Sequence, residues 1–358
     1  MKTKIIEGVE LTSGMVDTYF KERQYEPLYW PTFFPLKTVT SLSAKTLIGS
    51  KGSRVAAAVI SYNAKSPEVG RKTMSTMTFD IPKTSETRTK DELQIIEEYT
   101  TYKLLGANEV LKDYFNDIDE VFDGCNGRME WLALTVLSAT KLQLTTTNNP
   151  LGIVNETVID MGMPDANKKF ASVVWSTGNV ATMDPIKDFK AIVSAGRKLG
   201  IKFTKALMHP DDYDLMTAAT KFQAYFKNTA LDVVALIDLD TINKFLRTQR
   251  LPEIVLIDTS VGIEGKNGVV TETNPWSENH ITFISTIQQG NMLNGPIAEE
   301  LERPMDVMQS KKENVLVSVK REFNPSKVVT KGEANVFPSW PLVDRCFSLY
   351  VGSDSAWA

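Results

Sequence analysis

The apolar and polar residues at the start of the 358-residue chain follow no sustained period, although one part of this region is strongly apolar. Residues 25–35 read YEPLYWPTFFP, and their three prolines exclude a continuous helix. A segment this rich in aromatic side chains is too apolar for a free tail, so we expect it to be buried in the chain's own core or against a neighbouring subunit. The side chains concerned are Leu28, Trp30, Phe33 and Phe34.

The next region, from about residue 46 to 88, is rich in Gly, Ser, Thr, Lys and β-forming residues. It contains the apolar run VAAAVI at 55–60 and the alternating stretch MSTMTFDI at 74–81, on either side of a turn-forming SPEVG at 66–70. This pattern predicts a long two-stranded excursion. Because an isolated hairpin is only marginally stable in water, we expect the excursion to lie on a partner.

A helical period begins near Thr89, where the sequence Thr-Lys-Asp-Glu predicts a capping box from Thr89 to Glu92. Gly106 is expected to break the helix, and the glycines at 124 and 127 are expected to interrupt it again. We therefore predict a long helical region in two or three pieces. The apolar residues at helical spacing are Leu93, Ile96, Leu104, Val110, Leu111, Tyr114, Phe115 and Ile118.

Local signals organise the rest of the chain into short strands and helices. A second hairpin is expected between residues 141 and 161, and Asp184-Pro185 predicts the start of a helix that ends at Gly200. The Asn267-Gly268 pair predicts a hairpin turn. Strand patterns return after residue 300, so the chain is predicted to be α+β with one inserted lobe.

Composition narrows the class of protein without naming a function. The chain is 42% hydrophobic and 23% charged, as ordinary globular proteins are, and its net charge of −4 excludes a polycation. The polar start argues against a signal peptide, and no apolar stretch approaches the roughly 18 residues of a membrane span. The two cysteines, Cys125 and Cys346, are interpreted as free thiols.

The sequence offers no convincing catalytic, metal-binding or cofactor-binding motif. The only histidines are His209 and His280, and His209-Pro-Asp-Asp is better interpreted as the capped start of a helix. Neither glycine-rich patch, at 49–53 or 262–268, has the spacing of a phosphate-binding loop. We therefore expect a protein that is not an enzyme, with no cofactor and no metal. A hydrolase whose catalytic residues are scattered along the chain is the alternative.

A series of short motifs in fixed order resembles the lambda-type major capsid proteins of tailed bacteriophages. In chain order the motifs are Phe79-Asp-Ile-Pro-Lys83, Thr89-Lys-Asp-Glu92, Val158-Ile-Asp-Met161, Met183-Asp-Pro-Ile-Lys-Asp-Phe189, Glu253-Ile-Val-Leu-Ile-Asp-Thr-Ser-Val-Gly-Ile-Glu-Gly-Lys-Asn-Gly268, Asn279-His-Ile-Thr-Phe-Ile284 and Phe337-Pro-Ser-Trp-Pro341. Each motif alone is weak, but the order and spacing extend over nearly the whole chain.

The resemblance implies the Hong Kong 97 phage capsid fold. Residues 1–45 would form its N-arm and 46–88 its E-loop. Residues 89–182 and 300–358 would form the peripheral domain with the long spine helix, and 183–299 the inserted axial domain.

The same resemblance implies a function and a set of partners. The chain would assemble with its own copies, as pentamers and hexamers, into the icosahedral head shell around double-stranded DNA. It would contact the DNA non-specifically, without any membrane, in a virion assembled in the bacterial cytoplasm. A separate scaffolding protein, a portal and a decoration protein are further expected partners. The alternative within this fold is an encapsulin, a cellular compartment shell that holds cargo enzymes.

Charge is distributed unevenly between the implied E-loop and the implied spine. Residues 51–90 carry eight Lys or Arg and three Asp or Glu, whereas residues 91–130 carry three and eleven. We expect the basic loop of one subunit to dock across the acidic spine of the next. The basic residues concerned are Arg54, Lys65, Arg71 and Lys72, and the acidic ones are Glu92, Glu97 and Glu98. Lys65 or Lys72 is also a candidate for a covalent lysine–asparagine cross-link, which is known in some shells of this fold.

Overall fold

The computed structural model describes residues 2–6, 9–48, 75–154, 158–228, 233–234, 238–302 and 304–353. The chain forms two compact units, each built from three segments. Unit 1 comprises Met1–Ala44, Thr78–Glu130 and Asn291–Ser339, and unit 2 comprises Lys45–Met77, Trp131–Gly290 and Trp340–Ala358. These limits differ from the five segments expected of a shell subunit, which are defined by their roles in an assembly and stay a prediction.

Nine helices occur in the described residues. They are α1 Ser13–Glu22, α2 Trp30–Phe33, α3 Glu92–Leu105, α4 Ala107–Ala139, α5 Pro185–Lys198, α6 Pro210–Ala218, α7 Thr220–Gln223, α8 Leu239–Thr248 and α9 Ala298–Leu301. The strands of the same residues are β1 Lys2–Ile6, β2 Val9–Thr12, β3 Leu36–Thr38, β4 Ser43–Ile48, β5 Ser75–Asp80, β6 Lys83–Lys90, β7 Lys141–Leu142, β8 Ile159–Asp160, β9 Lys168–Phe170, β10 Lys205–Met208, β11 Lys227–Asn228, β12 Val233–Val234, β13 Glu253–Leu256, β14 Val261–Glu264, β15 Val270–Thr273, β16 His280–Ile284, β17 Asn291–Asn294, β18 Met308–Lys312, β19 Val315–Glu322, β20 Lys327–Ser339 and β21 Phe347–Tyr350.

Unit 1 is organised around β20, a buried strand of 13 residues. The sheet has the order β18-β19-β20-β17-β3, and β6 also pairs with β20. The helix α4 crosses this sheet so closely that a side chain at Gly332 would meet the backbone oxygen of Val121. Only glycine permits that approach inside a strand. The buried residues of α4 include Val110, Tyr114, Ile118 and Val121, and Val121 lies directly against the central strand.

The long helical region has two pieces, separated as predicted at Gly106, whose φ is +94°. The predicted interruption at Gly124 and Gly127 is wrong, because α4 runs unbroken from Ala107 to Ala139. A side chain at position 124 would overlap the carboxylate of Glu86. That glycine therefore serves close packing, and the burial of α4 outweighs the cost of about 1 kcal/mol for a glycine within a helix.

The capping box lies two residues later than predicted. The Asp91 carboxylate accepts a hydrogen bond from the Gln94 amide at 3.0 Å, and the Asp91 amide donates to the Gln94 side chain at 3.0 Å. Thr89 cannot cap the helix because β6 continues through Lys90, paired with β20. The sequence also gave no sign of α1 or of the strand pair β1–β2 in the N-terminal region.

Unit 2 contains a five-stranded sheet of order β13-β10-β16-β21-β9. Its core consists of apolar residues from these strands and from α5 to α8, among them Ile186, Phe189, Met208, Phe222, Ile242, Leu246, Phe283 and Phe347. The end of α4 contacts β16 through a hydrogen bond of 2.7 Å from the Thr282 hydroxyl to the Leu137 carbonyl oxygen. The predicted helix start at Asp184-Pro185 and the hairpin turn at Asn267-Gly268 are both confirmed.

Two helix–strand units of unit 2 end their helices in the same way. The Ile201 amide donates to the Gly196 carbonyl at 2.9 Å after α5, and the Leu251 amide donates to the Leu246 carbonyl at 2.9 Å after α8. Both closures need a residue with positive φ just before the donor. That residue is Gly200 at +70° in one case and Arg250 at +59° in the other.

We predict that substitutions at these two equivalent positions differ in their effect on stability. Gly200→Ala should lower the free energy of unfolding by about 1 kcal/mol, since a Cβ disfavours this conformation. Arg250→Gly should raise it or leave it within about 0.5 kcal/mol, because relief of strain offsets a lost cation at the helix end. Urea denaturation of unassembled protein followed by circular dichroism measures both. A clear destabilisation by Arg250→Gly would contradict this account.

The carboxyl group of Asp212 is buried at the start of α6. One oxygen accepts a hydrogen bond from the Asn279 amide at 3.2 Å, and the other has no hydrogen-bond partner. Burial raises the pKa of Asp212 to about 7, and the charges of Glu278 and Asp211 raise it further against the opposing hydrogen bond. The folded protein therefore binds this proton more tightly than the unfolded chain does.

We predict that Asp212→Asn increases stability most at alkaline pH. Between pH about 4 and 7 the folded state holds a proton that the unfolded state has lost, so the wild-type contribution falls as pH rises. The difference in unfolding free energy between variant and wild type should grow over that window, to on the order of 3 kcal/mol, and then stay constant. Urea titrations at several pH values measure it, with Asp214→Asn as the exposed control. A difference that is independent of pH would refute the burial effect.

Candidate assembly surface

The helix α3 is fastened to unit 1 by a charged network more than by apolar packing. Only Ile95 and Glu98 of its 14 residues are buried. The Glu98 carboxylate accepts from the Lys90 ammonium at 2.6 Å and from the Tyr114 hydroxyl at 2.7 Å. Lys90 also lies 3.6 Å from Asp117. Burial and the adjacent Glu98 raise the pKa of Tyr114, which therefore stays a neutral donor.

The opposite side of α3 exposes three large apolar side chains. Leu93, Ile96 and Leu104 are 71%, 62% and 76% exposed. At 3.6 residues per turn they point about 130° to 170° away from the direction of Ile95 and Glu98. We call this side, with Glu97 among its apolar residues, the α3 outer face. Large apolar side chains left exposed on one side of a helix are typical of an interaction surface.

Acidic residues border the α3 outer face, and the structure separates their roles. Glu97 is exposed and lies on the face itself. Glu92 is exposed at the start of the helix, where its carboxylate accepts from the Ser326 amide at 3.0 Å in the turn between β19 and β20. That turn also carries Phe323, which is 79% exposed. Glu98 instead faces the interior, so its charge is already matched by Lys90.

The aromatic segment of the N-terminal region is buried within unit 1. Trp30, Phe33 and Phe34 lie in the core, while Leu28 is half-buried. The buried carboxylate of Glu130 fixes the segment by accepting from the Tyr29 amide at 2.9 Å and the Trp30 amide at 2.7 Å. Of the two expected alternatives for this segment, burial in the chain's own core is the one observed for Trp30, Phe33 and Phe34. Contact of this segment with a neighbouring subunit stays a prediction.

The basic residues expected to meet the acidic helix lie outside the described residues. These are Arg54, Lys65, Arg71 and Lys72. Their pairing with Glu92 and Glu97, and the cross-link expected of Lys65 or Lys72, therefore stay predictions.

His209 of unit 2 has a structural role. His209 precedes α6 and accepts from the Asp211 amide at 3.2 Å, as expected of a helix cap. It borders a shallow depression that also contains Asp258 and Glu272. Within the described residues, no three His, Cys, Asp or Glu side chains are placed to hold a metal ion. No helix of the described part of the chain is long and apolar enough to cross a membrane.

Sequence patterns alone did not separate the two sides of α3. Leu93, Ile96 and Leu104 contributed to the helical period, which indicated an apolar face without indicating which side is buried. The available signal was the position of Ile95. An apolar residue there, together with 93, 96 and 104, places apolar side chains on both sides of one helix.

Comparison with known proteins identifies the fold. No family model matches the sequence, and no curated protein matches it. A protein described as a prophage capsid protein from Escherichia coli CFT073 has a TM-score of 0.53 and 14% identity, covering 96% of this chain and 99% of its own. A phage-related protein from Bordetella bronchiseptica RB50 has a TM-score of 0.50 and 12% identity, covering 97% and 99%. The capsid of cyanophage A-1(L) gives 0.50 and 9%, covering 96% and 100%.

These likenesses extend over nearly the full length of each chain at low sequence identity, so they establish architecture. The chain has the phage capsid fold. The predicted α+β class and the predicted Hong Kong 97 fold are both confirmed.

We predict that neighbouring isoleucines of α3 differ sharply in their contribution to stability. Ile95→Ala should lower the unfolding free energy by about 2 kcal/mol or more, because it empties a buried site. Ile96→Ala should change it by less than about 0.5 kcal/mol, because the side chain is exposed in the subunit. Urea denaturation of unassembled protein compares the two directly. Equal losses for both variants would mean that the α3 outer face is packed within the subunit.

Proposed function

We propose that this chain is the major capsid protein of a tailed bacteriophage, and that its copies assemble as pentamers and hexamers into the icosahedral shell around double-stranded DNA. The observation that carries the proposal is the α3 outer face on a capsid fold. A lone subunit would expose Leu93, Ile96 and Leu104 to water at a free-energy cost, whereas assembly can bury them in an interface. Closed symmetry supplies a partner surface to every copy.

The predicted E-loop of a neighbouring copy fits the α3 outer face by its chemistry. Its apolar run at 55–60 would cover the leucine and isoleucine side chains, and Arg71 and Lys72 would approach Glu92 and Glu97. Such exposed ion pairs contribute little energy each, so their main effects are on orientation and association rate. Glu98 was expected to meet the basic loop together with Glu92 and Glu97, but it holds α3 in place from within the subunit.

The remaining partners follow from the same proposal. A separate scaffolding protein, a portal and a decoration protein would interact with the shell, and packaged DNA would contact it without sequence specificity. The subunit would assemble in the bacterial cytoplasm and reside in the virion. It would carry no catalytic activity and need no cofactor.

Electron microscopy of the purified protein tests this function. Closed shells, tubes or isolated pentamers and hexamers are the expected particles. A protein that stays a monomer near 40 kDa under all assembly conditions, with or without a co-expressed scaffold, would overturn the proposal.

We predict that reversing two charges of the E-loop slows assembly and that reversing the opposite charges restores it. Arg71→Glu with Lys72→Glu should reduce the assembly rate by about tenfold at low salt, because electrostatic attraction accelerates encounter. Adding Glu92→Lys and Glu97→Lys should recover most of that rate. Light scattering follows assembly over time. Lys187→Glu with Lys190→Glu is the matched control, since it makes the same change of charge in unit 2.

The salt dependence tests whether the effect is electrostatic, whereas the restored rate of the charge-swapped variant distinguishes the proposed pairing from general repulsion. The defect should fade as salt rises, since exposed charges are screened. Assembly kinetics that the loop reversal leaves unchanged at low salt would contradict the pairing.

A further inference from the structure

One edge of the five-stranded sheet in unit 2 gathers the ends of two helices. The strands β10 and β13 are parallel neighbours, with Lys205 opposite Glu253 at their amino-terminal ends. Each strand follows a helix that packs on the sheet, α5 before β10 and α8 before β13. A helix that leads into a strand across a short turn ends beside the start of that strand. The carboxyl-terminal ends of α5 and α8 therefore meet at this edge, which we call the amino edge.

The amino edge carries a strong excess of positive charge. Residues 197–205 contain four basic residues and no acidic one, and residues 247–253 contain Arg247, Arg250 and the single acid Glu253. Glu253 is already shared between Lys205 at 2.5 Å and Arg247 at 3.2 Å. Four cations remain exposed and form no ion pair with any described residue: Arg197, Lys198, Lys202 and Arg250.

Nothing in the adjacent strand connection neutralises these cations. The strand β16 pairs antiparallel with β10, so Ile284 lies opposite Lys205 at the same edge. The residues that follow, 285–290, read STIQQG and contain no charged side chain. The cations of the amino edge are therefore followed along the sheet by an uncharged connection.

Arg250 is an unusual residue for its backbone conformation. It occupies the positive-φ position that glycine occupies in the otherwise equivalent turn after α5. A side chain with a Cβ is disfavoured there, and glycine would close the helix at lower cost. Strain held in this way points to a use for the side chain that helix closure does not explain.

Helix electrostatics explain only part of the cluster. Cations in the last turn of a helix are favoured by its dipole, which accounts for Arg197, Lys198 and Arg247. Lys202 lies four residues beyond the end of α5. The dipole gives no reason to prefer a strained arginine to glycine at position 250.

We propose that the amino edge of unit 2 binds the phosphate backbone of double-stranded DNA, with Arg250 and Lys202 among its contacts. This inference rests on the proposed shell function and assigns the DNA contact to particular residues. The edge offers flexible cations and no described aromatic side chain among its exposed residues 197–202 and 247–250, which suits sequence-independent phosphate binding. DNA is favoured over an acidic protein because the cations are spread over two turns, and Leu199, 42% exposed, is the single large apolar side chain exposed among residues 197–202 and 247–250.

The test compares two variants with equal loss of charge. Lys202→Gln with Arg250→Gly removes two cations of the amino edge, whereas Lys187→Gln with Lys190→Gln removes two exposed cations from the first half of α5. Unassembled full-length protein is titrated with a short fluorescent DNA duplex over a range of salt concentrations. The slope of log affinity against log salt should fall by about 2 for the edge variant and remain near the wild-type value for the control.

Each result decides the inference. A wild type without measurable DNA affinity overturns it. Equal losses of affinity in both variants also overturn it, because they would mean that DNA responds to the net charge of the protein and not to the amino edge. Unchanged DNA binding by the edge variant with defective shells also overturns it and assigns the edge to a contact between copies. Shells that form normally while the edge variant alone loses DNA affinity support it. Failure of the wild type to form any particle would instead count against the proposed function.

Discussion

The buried ion pair between Glu98 and Lys90 is the constraint on which the proposed assembly surface depends. Together with the Tyr114 hydroxyl it satisfies the carboxylate and holds α3 on unit 1. Loss of Lys90 would leave the buried Glu98 carboxylate without a cation, which is strongly destabilising, whereas loss of Glu98 would leave Lys90 with Asp117 at 3.6 Å. Because this network and Ile95 fix the inner side of α3, the leucine and isoleucine side chains of the α3 outer face are directed to solvent.

A subunit with this arrangement is well suited to assembly. Its interior is closed by β20 and α4 in unit 1 and by the helices over the sheet in unit 2, so each unit has its own core. Two surfaces of the described residues that folding does not explain are an apolar helix face and a cationic edge. The first fits another protein surface, since burial of apolar area stabilises association. The second fits a polyanion. Both are consistent with a shell around a genome.

Local sequence signals predicted those features that depend on neighbouring residues alone. The break at Gly106, the helix start at Asp184-Pro185 and the turn at Asn267-Gly268 each follow from the conformations that the residues allow. The capping box was misplaced because pairing of β6 with β20 extends the strand through Lys90, and that pairing joins segments more than 230 residues apart. The glycines of α4 were misjudged for the same reason, since tertiary packing outweighs their helix propensity.

The candidate site could be predicted only in part. The uneven charge between residues 51–90 and 91–130 indicated an electrostatic pairing, and the helix period located α3. The sequence could not indicate that Glu98 faces inward while Glu97 faces outward, because apolar residues occur at helical spacing from both glutamates. The unusual position of Arg250 could not be predicted either, because only its backbone φ angle shows that it stands where the equivalent turn after α5 has a glycine.

Covering of the α3 outer face upon assembly can be measured with a single introduced thiol at Ile96. The native Cys125 and Cys346 are buried, and burial raises the pKa of the Cys125 thiol to about 12 and that of the Cys346 thiol as well, so both react slowly. An Ile96→Cys variant should therefore react with a maleimide at one rapid site in unassembled subunits. In purified shells we expect that reaction to slow by at least about tenfold. Equal reaction rates in subunits and shells would contradict burial of this face and with it the central claim.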